Sequence, residues 1–132
     1  MTEFATNQDE KSGAAAKAGK YLTFTLDGEE YGIEILKVRE VLGMAPVTRV
    51  AEAPEFVRGV MDFRGDIVSV IDLRLKFGLS RKDDTERTRI IVAEVVLDEG
   101  PVTLGLVVDG ASEVRDVSAE EIEIRSPDDR RK

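Results

Sequence analysis

The chain is cut into strand-length pieces by tight-turn signals. Asp27-Gly28, Arg64-Gly65, Gly100-Pro101 and Asp109-Gly110 each fall between short apolar runs. Such residues favour hairpins because glycine and aspartate tolerate the positive φ that a two-residue turn demands. In the first run Leu22, Phe24 and Leu26 alternate with Thr23 and Thr25, the period-2 signature of a strand with one buried face. Residues 30–33 read as its return strand. Residues 46–50, 67–71, 90–97 and 102–108 read as further strands, and 114–117 and 122–124 as short ones. The spacing of about 8–12 residues and a count of roughly eight or nine strands argue for antiparallel barrels rather than a parallel sheet.

Helical signals are brief. In residues 34–42 the positions Ile35, Leu36, Val38, Val41 and Leu42 fall on one helical face, with Gly43 placed as a C-cap. Pro54 can open a second helical turn carrying Phe56, Val57 and Val60, limited by Gly59. Residues 72–79 read as a turn of helix closed at Gly78. Residues 80–89 are charged and hydroxyl-rich and are expected to form an exposed loop.

At 132 residues the chain is expected to form one domain or two small lobes sharing a core. Residues 1–19 are polar and small and are expected to be a disordered tail; residues 126–132 form a charged tail. There is no cysteine and no histidine, which leaves out disulfide frameworks, Cys/His zinc sites and thiol catalysis. With 27 acidic and 19 basic residues the net charge is −8, which opposes nucleic-acid binding. No apolar run approaches a membrane span of about 18 residues, so the reading is a cytoplasmic protein without membrane insertion.

The search for chemistry returns little. No phosphate-binding glycine motif occurs. Glu29, Glu30, Asp83 and Asp84 sit at turns and in the charged loop, where nothing forces the burial that a general acid would need. Asp83, Asp84 and Glu86 lack the calcium-loop spacing. The Arg64-Gly65-Asp66 tripeptide is a turn sequence, and no serine has a nucleophile's context. A binding module with no catalytic residue, cofactor or metal remains; a small acidic enzyme is the competing class. One local pairing stands out. If residues 34–42 pack beside the 62–66 turn, Glu40 meets Arg64. Partly buried, that pair makes Arg64→Ala cost a few kcal/mol; exposed, the pair is worth little.

Several blocks in order resemble the CheW family of chemotaxis adaptors. They are Phe24-Thr25-Leu26, Glu30-Tyr31-Gly32-Ile33, Ile35-Leu36-Lys37-Val38-Arg39-Glu40-Val41 and Phe56-Val57-Arg58-Gly59-Val60 in the first part. Phe63-Arg64-Gly65, Ile67-Val68-Ser69-Val70-Ile71-Asp72-Leu73-Arg74 and Leu104-Gly105-Leu106-Val107-Val108-Asp109-Gly110 follow. The resemblance implies two interlocked SH3-like antiparallel β-barrels over residues 20–125 and no catalysis. It implies two partners, the regulatory domain of the histidine kinase CheA and the cytoplasmic tip of methyl-accepting chemoreceptors. Val38, Glu40, Gly59, Arg64, Gly65 and Gly105 align with the partner-binding stretches. Ser69 departs from the family's usual proline. The family's closing glycine-led strand and helix are missing after Pro127, so the second barrel is expected to be incomplete. A CheW-like module of a larger CheV or CheA type protein is the alternative that this departure raises.

Overall fold

A computed structural model describes residues 19–117. Gly19, expected to end the N-terminal tail, already belongs to a strand; the rest of that tail, the charged tail and the strand at 122–124 lie outside the described residues, as does the question of the second barrel's closing strand. Eight strands are present among the described residues. They are β1 (Gly19–Leu26), β2 (Glu29–Glu34), β3 (Val38–Leu42), β4 (Val57–Phe63), β5 (Asp66–Asp72), β6 (Arg89–Leu97), β7 (Gly100–Val108) and β8 (Gly110–Val117). One short helix, α1 (Leu73–Lys76), follows β5.

The strands form two sheets, one of three strands in the order β2-β1-β8 and one of five in the order β3-β6-β7-β5-β4. The five-stranded sheet curls until the segment after β3 meets β4. Thr48 N–H donates to the Val60 carbonyl and Val60 N–H to the Thr48 carbonyl, each at 2.8 Å. This bridge closes the first barrel around Met61, Phe63, Val68, Val70, Ile90, Val92 and Val107.

The second core lies between the outer face of that sheet and the three-stranded sheet. Leu22, Phe24, Leu26, Tyr31 and Ile33 from β1 and β2 meet Ile91, Ala93, Leu106 and Val108. β6 and β7 therefore feed alternate side chains to both cores, which is what interlocks the two halves. A strand buried on both faces has no polar face to alternate with, so it reads as a continuous apolar run. That explains Ile90-Ile91-Val92-Ala93 and Leu106-Val107-Val108. On β1, Thr23 is buried although polar; its hydroxyl donates to the Glu113 carbonyl at 3.1 Å, beside the register shift between β1 and β8.

The turn signals at Asp27-Gly28 and Arg64-Gly65 are realised as expected. Both residues of each pair have positive φ, 52° and 83° in the first and 54° and 90° in the second, the requirement of a primed hairpin turn. Residues 72–79 also form the expected turn of helix: Asp72 caps α1 by accepting from Arg74 N–H, and Gly78 follows with φ 83°.

Three expectations are corrected. Residues 34–42 are not a helix. Only Ile35–Lys37 makes a single 3-10 turn, closed by Val38 N–H donating to the Ile35 carbonyl, and the rest is β3. A nine-residue helix has little stability of its own, whereas β3 gains a full edge pairing with β6 and inserts Leu42 into the first core. The turn after Pro54 does not become helical, because Val57 and Val60 are already part of β4. Residues 46–50 contribute only the Thr48 bridge, not a strand. The pairing is antiparallel except between β5 and β7, which run parallel.

Candidate functional site

The six expected partner-binding residues fall into two physical groups. Glu40 and Arg64 are brought together. The Arg64 guanidinium pairs with the Glu40 carboxylate, joining β3 to the β4–β5 turn. Arg64 also lies over the Phe63 ring, 5.1 Å from its centroid, and Arg39 approaches the same ring at 6.0 Å. Gly65 completes the turn, donating its N–H to Asp62 Oδ1 at 2.9 Å. The Arg64 side chain is 68% exposed and Glu40 34%, so the pair is an accessible feature on the surface. Its contribution to stability is correspondingly small, about 0–1 kcal/mol.

The other three are structural in their surroundings. Val38 is half-buried against the second core. Gly59 is buried beneath the barrel-closing bridge: a Cβ there would lie 2.1 Å from the Thr48 carbonyl oxygen, and its φ is +145°. Gly105 is buried on β7, where a Cβ would meet Ile90 Cγ2 at 3.1 Å and Met61 Cε at 3.5 Å. Gly59 and Gly105 therefore shape the barrel that presents Glu40 and Arg64 and offer no side chain of their own.

Apolar side chains are exposed on the 3-10 turn, on and just after β3, and on β5. Leu36, at the tip of the 3-10 turn, is 96% exposed, and Ile67, opposite Asp62 on the β4–β5 hairpin, is 71% exposed. Val41 on β3 and Met44 just after it are also exposed. Single exposed aliphatics are ordinary. Aliphatics beside a charged pair on a rigid two-residue turn make a protein-docking chemistry, with apolar contact for affinity and charge for register.

Sequence reasoning missed a second constellation. Arg74 and Asp72 are both 1% exposed. Arg74 Nε donates to Asp72 Oδ1 and Nη2 to Asp72 Oδ2, both at 3.0 Å, while Nη1 donates to Asp109 Oδ1 at 3.0 Å. Arg58 donates to both oxygens of Asp84, at 3.0 and 2.7 Å, and reaches Asp72 Oδ2 at 3.5 Å. Two guanidinium groups, from β4 and α1, thus hold three carboxylates, from β5, the 79–88 loop and the β7–β8 turn. Burial works against the charge of Arg74, but the hydrogen bonds and charges of Asp72 and Asp109 outweigh it and hold its pKa above the ordinary value. The hydrogen bonds from Arg58 hold the Asp84 carboxyl below its ordinary value against partial burial. The Asp72-Leu73-Arg74 spacing was the available signal, since an Asp that caps a helix faces the residue two positions on. The distant partners Asp84 and Asp109 carried none.

Comparison with known proteins follows the same outline. A family model described as the CheW-like domain matches residues 20–132. The chain is 48% identical over 103 residues to "Chemotaxis protein CheW" of Klebsiella aerogenes, covering 78% of this chain and 60% of that protein. It is 33% identical over 102 residues to "Probable chemotaxis protein CheW" of Rhizobium etli, covering 77% of this chain and 63% of that one. The chain thus spans about three-fifths of the length of these curated relatives. Among solved structures, the scaffolding protein TtCheW from Thermoanaerobacter tengcongensis superposes with a TM-score of 0.69 at 36% identity, covering 76% of this chain and 66% of that one. The SH3-like all-β reading and the resemblance drawn from the sequence both agree with these matches.

Proposed function

The chain belongs to the CheW-like domain family, and from that premise we propose that it is a non-catalytic adaptor coupling chemoreceptors to the histidine kinase CheA. The observation that carries this reading is the Glu40–Arg64 pair, held over Phe63 on a two-residue turn and flanked by exposed Ile67. An adaptor needs a rigid docking feature rather than a reactive one, and this turn is rigid because both of its residues are locked at positive φ. Arg64 is oriented by the ring and by Glu40, so a partner carboxylate finds a guanidinium whose rotamer is already set. Among the described residues no cluster of His, Cys, Asp or Glu is arranged to hold a metal ion, and no helix is long and apolar enough to cross a membrane. The proposed setting is the cytoplasmic face, where receptor tips and kinase meet.

Val38, Gly59, Gly65 and Gly105 enter this reading as supports. Gly59 and Gly105 set the barrel's curvature, Val38 anchors β3, and Gly65 allows the turn. The partner-binding role of all six residues rests on alignment with the family together with the exposure of Glu40 and Arg64. Co-sedimentation with receptor-containing membranes in the presence of CheA tests the proposal. The folded protein is expected in the pellet with both partners, and depletion of that enrichment is expected for Arg64→Ala.

A further inference from the structure

A polar cleft of about 430 Å³, lined by neither Glu40 nor Arg64, lies between the β1–β2 turn, the 79–88 loop and the start of β8. That volume is in the range of small-molecule sites. Lys82, Arg87 and Arg89 line it with Thr25, Asp83 and Asp109. Three cations around one cleft are notable in a chain of net charge −8.

The charges in the cleft offset one another only in part. Asp109 is committed elsewhere: Oδ1 accepts from Arg74 at 3.0 Å and Oδ2 accepts from Asp27 N–H at 2.7 Å. Lys82 Nζ makes loose ion pairs with Asp27 at 3.8 Å and Asp109 at 3.9 Å, too long for good hydrogen bonds, so its N–H donors stay available. Among the described residues the Arg87 guanidinium has no hydrogen-bond or ion-pair partner. Arg89 uses Nη1 on the carbonyls of Glu86 and Thr88 and keeps its remaining donors. Asp83 and Asp109 are the carboxylates of the lining that oppose an anion, Asp109 being partly offset by the buried Arg74.

The loop that presents these cations is fixed in place. Asp84 turns inward from it onto Arg58 and Arg74. Thr85 N–H donates to Thr88 Oγ1 at 2.8 Å, and Arg87 N–H to Thr85 Oγ1 at 3.0 Å. The fold thus turns Asp84 away from the cleft, while Asp83, Lys82 and Arg87 of the same loop line it. We propose that this cleft binds a small oxyanion, a phosphate or carboxylate group held by Lys82, Arg87 and Arg89 with the Thr25 hydroxyl. Guanidinium forks match the paired oxygens of either group. The site is separate from the docking turn, so it stands or falls independently of the adaptor reading.

The test is an amide-resolved NMR titration at constant ionic strength, chloride being replaced by inorganic phosphate in one arm and by citrate in the other. Saturable shifts in the millimolar range are expected at Thr25, Gly28, Thr88 and Gly110. In Lys82→Gln with Arg87→Gln the midpoint rises about tenfold or more, whereas Arg81→Gln, an exposed arginine outside the lining, leaves it unchanged. Saturation by phosphate alone or citrate alone identifies which oxyanion the cleft prefers and supports the site. Shifts that never saturate, that spread evenly over the surface, or that persist in the double variant overturn it. All of these side chains are exposed or half-exposed, and unchanged β6 and β7 amide shifts verify the fold of each variant.

Discussion

A side-chain carbon on Gly59 would sit 2.1 Å from the carbonyl oxygen of Thr48, so the bridge that closes the first barrel exists only because position 59 has no Cβ. Both backbone bonds of that bridge, Thr48 to Val60 and Val60 to Thr48, would have to move. The +145° φ of Gly59 adds strain for any L side chain. Gly59→Ala is therefore expected to cost at least about 3 kcal/mol, the range of strained backbone and steric overlap combined. Urea unfolding gives the number; a midpoint equal to wild type refutes the account of barrel closure. Loss of coupling in this variant is read as loss of the barrel, not of a contact.

Arg74 is buried against Asp72 and Asp109. Removing the cation leaves buried Asp72 with only the 3.5 Å contact to Arg58, and breaking such a buried pair costs about 3–5 kcal/mol. Arg74→Met is expected to show that loss. Adding Asp72→Asn removes the stranded charge while keeping an acceptor for the α1 cap, so the double variant recovers part of it. A single variant within about 1 kcal/mol of wild type contradicts the arrangement.

Arg64→Ala behaves oppositely. The sequence left open a cost of a few kcal/mol if the pair were partly buried. The structure exposes Arg64, and the expected change in stability falls to about 0–1 kcal/mol. Partner binding is expected to weaken all the same. A large drop in melting temperature would show that the turn is structural.

Acid affects the Arg58–Asp84 link. Asp84 is held below its ordinary pKa by hydrogen bonding to Arg58. Its stabilising contribution is therefore fully present above the unfolded carboxylate value, about 3.9, and is lost as pH falls through the lower folded value. The stability gap between wild type and Asp84→Asn is expected to be constant near neutrality and to shrink below about pH 4. A gap that persists at the lowest pH at which the protein stays folded contradicts the link.

The strands with the strongest pattern were the most legible. β1 showed its alternation, and β6 and β7 showed runs apolar enough for two buried faces. Hairpin turns at Asp27-Gly28 and Arg64-Gly65 were readable because positive φ leaves a residue-level mark. β3 was not readable, because Ile35, Leu36, Val38, Val41 and Leu42 satisfy a helical period while the decision rests with pairing to β6. The Glu40–Arg64 contact was anticipated, though the geometry that makes it is strand beside hairpin, not helix beside turn. The Arg58–Asp84 and Arg74–Asp109 links lay hidden, since residues 26 and 35 positions apart leave no local spacing to recognise.

The central claim is that this chain bridges two proteins through a surface centred on Arg64. Its most direct test is co-sedimentation of the purified chain with receptor-containing membranes and CheA, beside Arg64→Ala of matched melting temperature. Enrichment of the wild-type chain with both partners, and its loss in the variant, is the predicted result. A folded wild-type chain that stays in the supernatant contradicts the adaptor reading, and equal enrichment of the variant contradicts the placement of the surface.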